Sequence, residues 1–258
     1  MPLRKGTRAL VTGATSGIGL ACARALARKG CRLVLVGRRR ERLKAAAREL
    51  SAKAHLLDVG NRKAVEALAR RGVFSTLDIL VNNAGLARGF EPLQEGDPDD
   101  WDEMIDTNLK GLLYVTRQVL PGMIHRGSGH VVMIGSTAGH WSYPNGNVYC
   151  ASKAAVRMLT EGLRMDLLGT GVRVSSVDPG MVETEFSEVR FHGDKARAGA
   201  VYAGMSPLRP QDVAETVLFC LTRPQHVNLQ QVVMMPTDQA SPTLVHRRPE
   251  AIDRPPRA

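Results

Sequence analysis

The chain has 258 residues, 43% of them apolar and 23% charged, which excludes a disordered chain, a collagen-like repeat and a disulfide scaffold. Lysine and arginine outnumber the acids 35 to 25, a formal charge of +10, so nucleic acid has to be weighed as a partner. The 27 arginines and 8 lysines are scattered, however, and the aromatics, 4% of residues, do not alternate with them as a stacking groove for single strands requires.

Residues 8–11 form a short apolar run that leads into Thr12-Gly13-Ala14-Thr15-Ser16-Gly17-Ile18-Gly19, and an amphipathic stretch over residues 18–29 follows at once. In this strand–turn–helix context Gly13 permits the tight turn, Gly17 lets a pyrophosphate approach the backbone, and Gly19 lets helix and strand pack closely. The free N–H groups of Thr15, Ser16 and Ile18 and the dipole at the helix start favour phosphates. The second strand, residues 32–36, then selects the dinucleotide. An acidic residue at its end would take the adenosine ribose hydroxyls; here Gly37 leads into Arg38-Arg39-Arg40. Guanidinium groups hold a dianionic phosphate through paired hydrogen bonds, so Arg38 and Arg39 predict NADP rather than NAD. A helix over residues 39–50 and a strand at 55–57 follow, and Asp58-Val59 would sit beside the adenine.

Further on come a helix at 63–71, a strand at 77–81, Asn82-Asn83-Ala84-Gly85, a helix over 100–125, a strand at 131–134 and Ser136. A helix over 148–168 carries Tyr149 and Lys153, a strand at 172–177 runs into Pro179-Gly180, and a last helix and strand occupy 212–221 and 232–235. Strands alternating with helices predict a parallel sheet covered on both faces. The expected architecture is α/β, a single-domain Rossmann fold with a doubly wound, seven-stranded sheet over residues 1–240. Residues 91–100 and 186–210 are the two long irregular stretches, where lids and binding loops belong. Residues 241–258, with four prolines and four arginines, read as a mobile or partner-docked tail.

Tyr149 and Lys153 are four residues apart and share one helix face. A free phenol titrates near ~10, too high for a base at neutral pH. A nearby ammonium favours the phenolate, and lowering the phenol by ~3 pKa units takes about 4 kcal/mol of differential interaction. The four cysteines, Cys22, Cys31, Cys150 and Cys220, have no C-x-x-C or metal-ligand spacing and read as reduced thiols. No apolar run approaches the ~20 residues of a membrane span, and the start lacks a signal peptide's apolar core. A cytoplasmic protein without metal, nucleic acid or membrane as partner is expected.

Taken in order and spacing, the glycine motif, Asn-Asn-Ala-Gly, Ser136, Tyr149-x-x-x-Lys153 and Pro179-Gly180 resemble the short-chain dehydrogenase/reductase family over residues 4–238. The resemblance implies that Tyr149 exchanges the proton with the alcohol or carbonyl oxygen, Lys153 also fixes the nicotinamide ribose, and Ser136 orients the substrate. Asn108, in Asp106-Thr107-Asn108-Leu109-Lys110-Gly111, resembles the fourth member, which holds a relay water. Asn83, with Ala84 and Gly85, would contact the cofactor. The turn Pro179-Gly180-Met181-Val182-Glu183-Thr184 would pass under the nicotinamide, with the Val182 backbone and Thr184 touching its carboxamide and phosphate. A homotetramer is implied, with the helices over 100–125 and 148–168 at one interface.

Stretches such as Thr184-Glu185-Phe186-Ser187, Val189-Arg190-Phe191-His192-Gly193-Asp194 and Met234-Met235-Pro236 resemble more closely the NADP-dependent 3-hydroxy acid dehydrogenases. That branch acts on L-allo-threonine and serine, and some members reduce malonic semialdehyde. Such a substrate needs a cation for its carboxylate. Arg190, in the irregular region, is the candidate, with a lid-anchoring surface arginine as the equal alternative. His192 reads as structural. Trp141, Tyr143 and Asn147 suit either a pocket wall or a subunit contact. Two other readings stay open: a reductase of another aldehyde or ketone, sulfoacetaldehyde included, and an NADP-binding regulatory protein without turnover, for which Ser136, Tyr149, Lys153 and Asn108 would be superfluous.

Overall fold

Short runs of valine and leucine bury both their faces only when helices cover the sheet on each side, and this is the arrangement adopted by the computed structural model, which describes residues 3–248. In chain order the elements are β1 (Arg8–Thr12), α1 (Gly17–Arg28), β2 (Arg32–Gly37), α2 (Arg40–Glu49), β3 (Lys53–Leu56), α3 (Arg62–Arg70), β4 (Ile79–Asn82), α4 (Pro98–Ile105) and α5 (Leu112–His125). They continue with β5 (Gly129–Ile134), α6 (Asn147–Asp166), β6 (Val172–Pro179), α7 (Phe186–Arg190), α8 (Lys195–Ala200), α9 (Pro210–Leu221) and β7 (Gln231–Met234). The seven strands form one sheet in the order β3-β2-β1-β4-β5-β6-β7, every neighbouring pair parallel. The expected seven-stranded, doubly wound sheet is therefore present.

The pleat sorts the core into two layers. Ala9, Val11, Leu33, Leu35 and Val177 pack with Leu26 of α1 and Val213 and Val217 of α9. Leu10, Val34, Val36, Leu80 and Val174 face the other way, onto Val65 of α3, Val115 and Val119 of α5 and Val156 of α6. Strand order reverses between β1 and β4, and the carboxyl ends of these two strands open the crevice in which such sheets bind ligands. The glycine motif and Asn83 lie there.

Three stretches differ from the sequence expectation. The helix expected over 100–125 is interrupted: α4 passes through a π-helical segment, Asp106–Gly111, into α5. Gly111 meets Val59 closely, since a Cβ on it would lie 2.6 Å from the Val59 side chain and 3.0 Å from its carbonyl carbon; π segments of this kind are frequent at functional sites. The stretch expected to be irregular over 186–210 carries α7 and α8. Finally, the expected tail packs from its first residues. Ala240 N donates to the Leu244 carbonyl, Arg248 pairs with Asp238 at 2.9 Å, and Arg247 donates to the Val201 carbonyl at 3.0 Å. Residues 249–258, the rest of that tail, lie outside the described residues.

Among the described residues no helix is long and apolar enough to cross a membrane. All four cysteines are unpaired.

Candidate active site

Gly13 and Gly17 adopt φ of +64° and +52°, the left-handed region that suits glycine, and so turn β1 sharply into α1. A Cβ on Gly19 would lie 2.5 Å from the Gly13 carbonyl oxygen and even closer to Asn83, so the helix start approaches the strand as only glycine allows. Ser16 caps α1 without a side-chain hydrogen bond to the helix, which leaves the first N–H groups directed into the crevice. Asn83 braces the turn from β4: its amide donates to the carbonyls of Thr12 at 2.9 Å and Gly13 at 3.3 Å.

These elements wall a cavity of about 700 Å³, within the ~300–1,000 Å³ of small-molecule and cofactor sites. It brings together Gly13, Thr15, Ser16, Gly17, Ile18, Arg38, Arg39, Asp58, Val59, Asn83, Ala84 and Gly85 with Ser136, Tyr149, Lys153, Pro179, Gly180, Val182, Thr184 and Arg190. Among the residues singled out in the sequence, Gly19 and Asn108 stand behind this wall. A cavity of this size, with both a glycine cradle and a titratable cluster in its wall, fits a dinucleotide.

At the cradle Arg39 donates to Thr15 Oγ1 at 2.8 and 3.0 Å and to the Ser16 hydroxyl, which fixes its guanidinium over the glycine turn. Arg38 pairs with Glu103 at 2.9 Å. Asp58 Oδ1 accepts from Gly60 N at 3.0 Å.

The titratable cluster is assembled from β5, α6 and the π segment. Ser136 leaves β5 in extended geometry and its hydroxyl accepts from Ala138 N at 3.1 Å. The short turn that follows packs on α6, where a Cβ on Gly139 would sit 2.7 Å from the Lys153 carbonyl. Tyr149 and Lys153 are both buried, and Lys153 Nζ lies 5.9 Å from the Tyr149 ring centre while donating to the Ile134 carbonyl at 2.9 Å. Burial lowers Lys153 to about 8, against the pull of the Asp178 carboxylate. The expectation for Tyr149 needs correction. Burial, reinforced by Tyr143, pushes its phenol well above the ordinary value, and the groups that oppose this are Arg190 and Ser136 rather than Lys153. Removal of a phenolate from water outweighs an ammonium that is itself committed to a carbonyl. Asn108 spends its side chain on structure: Oδ1 accepts from Leu86 N at 2.8 Å, and Nδ2 donates to the Leu86 carbonyl at 2.8 Å and Ser152 Oγ at 3.1 Å.

Arg190, at the end of α7, reaches into this cluster. Its guanidinium carbon lies 5.2 Å from the ring centres of Tyr149 and Phe186, 5.7 Å from Tyr143 and 5.8 Å from Phe90. One nitrogen donates to the Tyr143 hydroxyl at 2.7 Å; Nε is buried without a hydrogen-bond partner. A cation so held, with no carboxylate on it, has donors to offer an anion. Tyr143 lines the same cavity, whereas Asn147 lines a smaller neighbouring one and Trp141 is half-exposed. His192 turns to Asp100, 2.9 Å away.

Several residues in or behind the wall carried no motif. Arg88 holds α7 by donating to the Val189 carbonyl at 2.7 Å and pairing with Glu103 at 2.7 Å. Gln239, from the final segment, accepts from Met181 N at 2.8 Å and crowds Gly180, bracing the turn after β6. Asp178 is buried beneath Gly135 and accepts from His140 and Gln231, each at 2.7 Å. These residues are distant in sequence from what they support, and no local spacing marks them.

The model of the short chain dehydrogenase family matches residues 7–195, a span that carries the glycine turn, Ser136, Tyr149 and Lys153. The chain belongs to the short chain dehydrogenase family. Among its relatives, the NADP-dependent 3-hydroxy acid dehydrogenase YdfG of Salmonella typhi is 49% identical over 244 residues, 92% of this chain and 98% of that protein. Sulfoacetaldehyde reductase 2 of Chromohalobacter salexigens is 50% identical over 238 residues, 90% of this chain and 94% of that protein. Among solved structures, the closed form of serine dehydrogenase complexed with NADP+ superposes with a TM-score of 0.89 at 48% identity, covering 93% of this chain and all of that one.

Proposed function

We propose that this short chain dehydrogenase is an NADP-dependent oxidoreductase that moves a hydride between NADP(H) and the 3-hydroxyl or carbonyl of a small 3-hydroxy acid. The serine, L-allo-threonine and 3-hydroxypropionate or malonic semialdehyde type is the substrate class. The observation that carries the acid is Arg190, a guanidinium that lines the cavity beside the Tyr149 ring and pairs with no carboxylate among the described residues; a carboxylate offers the matching pair of acceptors. The 3-hydroxy acid dehydrogenase and the NADP+-bound serine dehydrogenase among the relatives support the same class.

When bound, the cofactor would supply the hydride acceptor or donor, and the glycine turn, Arg38, Arg39, Asp58, Val59, Asn83 and the turn from Pro179 to Thr184 would hold it. Ser136 donates to the substrate oxygen and orients it. Tyr149 hands that oxygen its proton in reduction and removes it in oxidation. Lys153, charged below its pKa of about 8, fixes the ribose, while Arg190 and Ser136 offset the phenolate as it forms. Asn108 holds α6 against the loop after β4 and so keeps this cluster in register. A phenol kept protonated by burial is suited to give its proton to the carbonyl oxygen in the reduction step.

The exposed Leu113, Met158 and Met165 on α5 and α6 are apolar side chains on the helices expected at an interface, and they support a homotetramer. The unpaired thiols support a cytoplasmic setting.

Initial rates with NADP+ and NAD+ on L-allo-threonine, L-serine, 3-hydroxypropionate and uncharged short alcohols test the proposal. Turnover with NADP+ on the acids alone is expected. A guanidinium also accepts a sulfonate, and the sulfoacetaldehyde reductase relative makes sulfoacetaldehyde with NADPH the second substrate to assay. Turnover confined to it, or to uncharged substrates, refutes the hydroxy acid while leaving the reaction type intact.

A further inference from the structure

The arginines beyond β2, expected to receive a 2′-phosphate, already hold carboxylates. Arg39 and Arg42 converge on one residue, Glu185, each with a nitrogen 2.6 Å from a carboxylate oxygen. Glu185 does not belong to the cradle. It comes from the segment after β6, immediately before α7, and stands there because Thr184 packs against Gly17, where a Cβ would lie 3.2 Å from its methyl group. With Arg39 also committed to Thr15 and Ser16, all three nitrogens of that guanidinium are occupied. Partial burial pushes the Glu185 carboxyl up, but the two guanidinium groups outweigh it and hold the carboxyl below its ordinary range, so it is an anion at neutral pH.

We propose that Glu185 is an internal stand-in for the cofactor's 2′-phosphate and thereby a determinant of how strongly NADP is preferred over NAD. The inference rests on the NADP reading given above. A carboxylate and a phosphate offer the same kind of oxygens to a guanidinium fork, so the two compete for the same donors. Charge favours the exchange. Arg39 and Arg42 with Glu185 leave a local charge of +1, the two arginines with a dianionic phosphate are neutral, and all four groups together would carry −1. The ion pairs are within reach of water, with side-chain exposures of 41%, 52% and 38% for Arg39, Arg42 and Glu185, and exposed pairs are weak enough to be displaced. NAD carries no 2′-phosphate and leaves Glu185 in place. The displaced residue is joined directly to α7, which ends in Arg190, so the exchange reaches the segment that supplies the substrate's cation.

The experiment is calorimetric titration of the full chain with NADP+, NAD+, 2′,5′-ADP and 5′-ADP, for wild type and for Glu185→Gln, which keeps the shape and removes the charge. Glu185→Ala serves as the second variant. Both variants should bind NADP+ and 2′,5′-ADP about three- to tenfold more tightly than wild type, with NAD+ and 5′-ADP within about 1.5-fold, the scale of one or two exposed ion pairs. The gain should shrink at high salt. Unchanged or weaker NADP+ binding in both variants overturns the inference and makes Glu185 a clasp over the cofactor instead. A wild type that binds 2′,5′-ADP no better than 5′-ADP overturns the NADP reading itself, and the stand-in with it.

Discussion

Removing the Arg190 guanidinium tests the substrate assignment most directly. In Arg190→Met the side chain still fills the space between Phe90, Tyr143, Tyr149 and Phe186, but the charge and the unpartnered Nε are gone. A hydrogen bond to a charged group contributes ~1.5–3 kcal/mol; at 1.36 kcal/mol per decade, loss of the carboxylate contact lowers kcat/KM about 10- to 150-fold. The change is expected mainly in KM, because the carboxylate is bound alike before and during hydride transfer. The variant also loses cation–π attraction to four rings, at ~0.5–1 kcal/mol each for partly exposed sites, and loosens α7 for every substrate. The informative quantity is therefore a ratio, kcat/KM for L-allo-threonine or 3-hydroxypropionate over that for an uncharged short alcohol. Arg190→Lys, which keeps a charge without the planar fork, should fall between wild type and Arg190→Met. An equal loss for acidic and uncharged substrates refutes the reasoning and leaves Arg190 as a lid anchor.

Other consequences concern the proton-transfer cluster, its titration and the cradle. Tyr149→Phe should reduce turnover about 10²–10⁴-fold, the contribution of a positioned acid–base group, while NADP+ affinity by fluorescence titration stays within about twofold; retained turnover would remove Tyr149 from the chemistry. Lys153 titrates at about 8 in the folded protein and near ~10.4 when unfolded. The unfolded chain therefore holds the extra proton between these values, and stability rises with pH across that window. Measured by denaturant unfolding at pH 7.5 and 10.5, wild type should gain up to about 3 kcal/mol relative to Lys153→Met, and a constant gap would show that Lys153 is not so perturbed. His130 is held down to about 3 by burial, aided by Arg173. Its stabilisation, complete above ~6.5, is lost as pH falls towards 3, so His130→Gln should flatten the acid limb of the unfolding curve. Gly19→Ala places a methyl against Asn83 and the Gly13 carbonyl; a loss of ~1–3 kcal/mol in stability is expected, with cofactor binding weakened at least about tenfold, and normal binding would mean the helix start is not held as described.

Much of the molecule was legible because its signals are local. The strand–glycine–helix junction at Gly13 to Gly19 dictates its own geometry through φ values and close approach, and Tyr149 and Lys153 share a helix face by spacing alone. The run of apolar residues in β1, β2 and β6 announces a sheet buried on both sides. The π segment around Asn108 had no comparable signal, since Asp106–Gly111 extends the periodicity of a plain helix, and the close approach of Gly111 to Val59 exists only in the folded chain. The packing of residues 241–248 was likewise hidden, because proline and arginine are the composition of a free tail as well as of a strap tied down by Arg247 and Arg248.

By itself, then, the sequence determined the βαβ order, the cradle and the proton-transfer pair, since each depends on neighbours within a few residues along the chain. Tertiary structure decided the electrostatics. The Tyr149 phenol is raised because packing with Leu86, Met104 and Phe186 buries it, and one of the two groups working against that burial is Arg190, which lies 41 positions further along the chain. The arginines beyond β2 are held by Glu103 and Glu185, carboxylates brought from two other segments. Charge and burial act through space over a few ångströms, and which charges come that close is fixed only when the chain has folded.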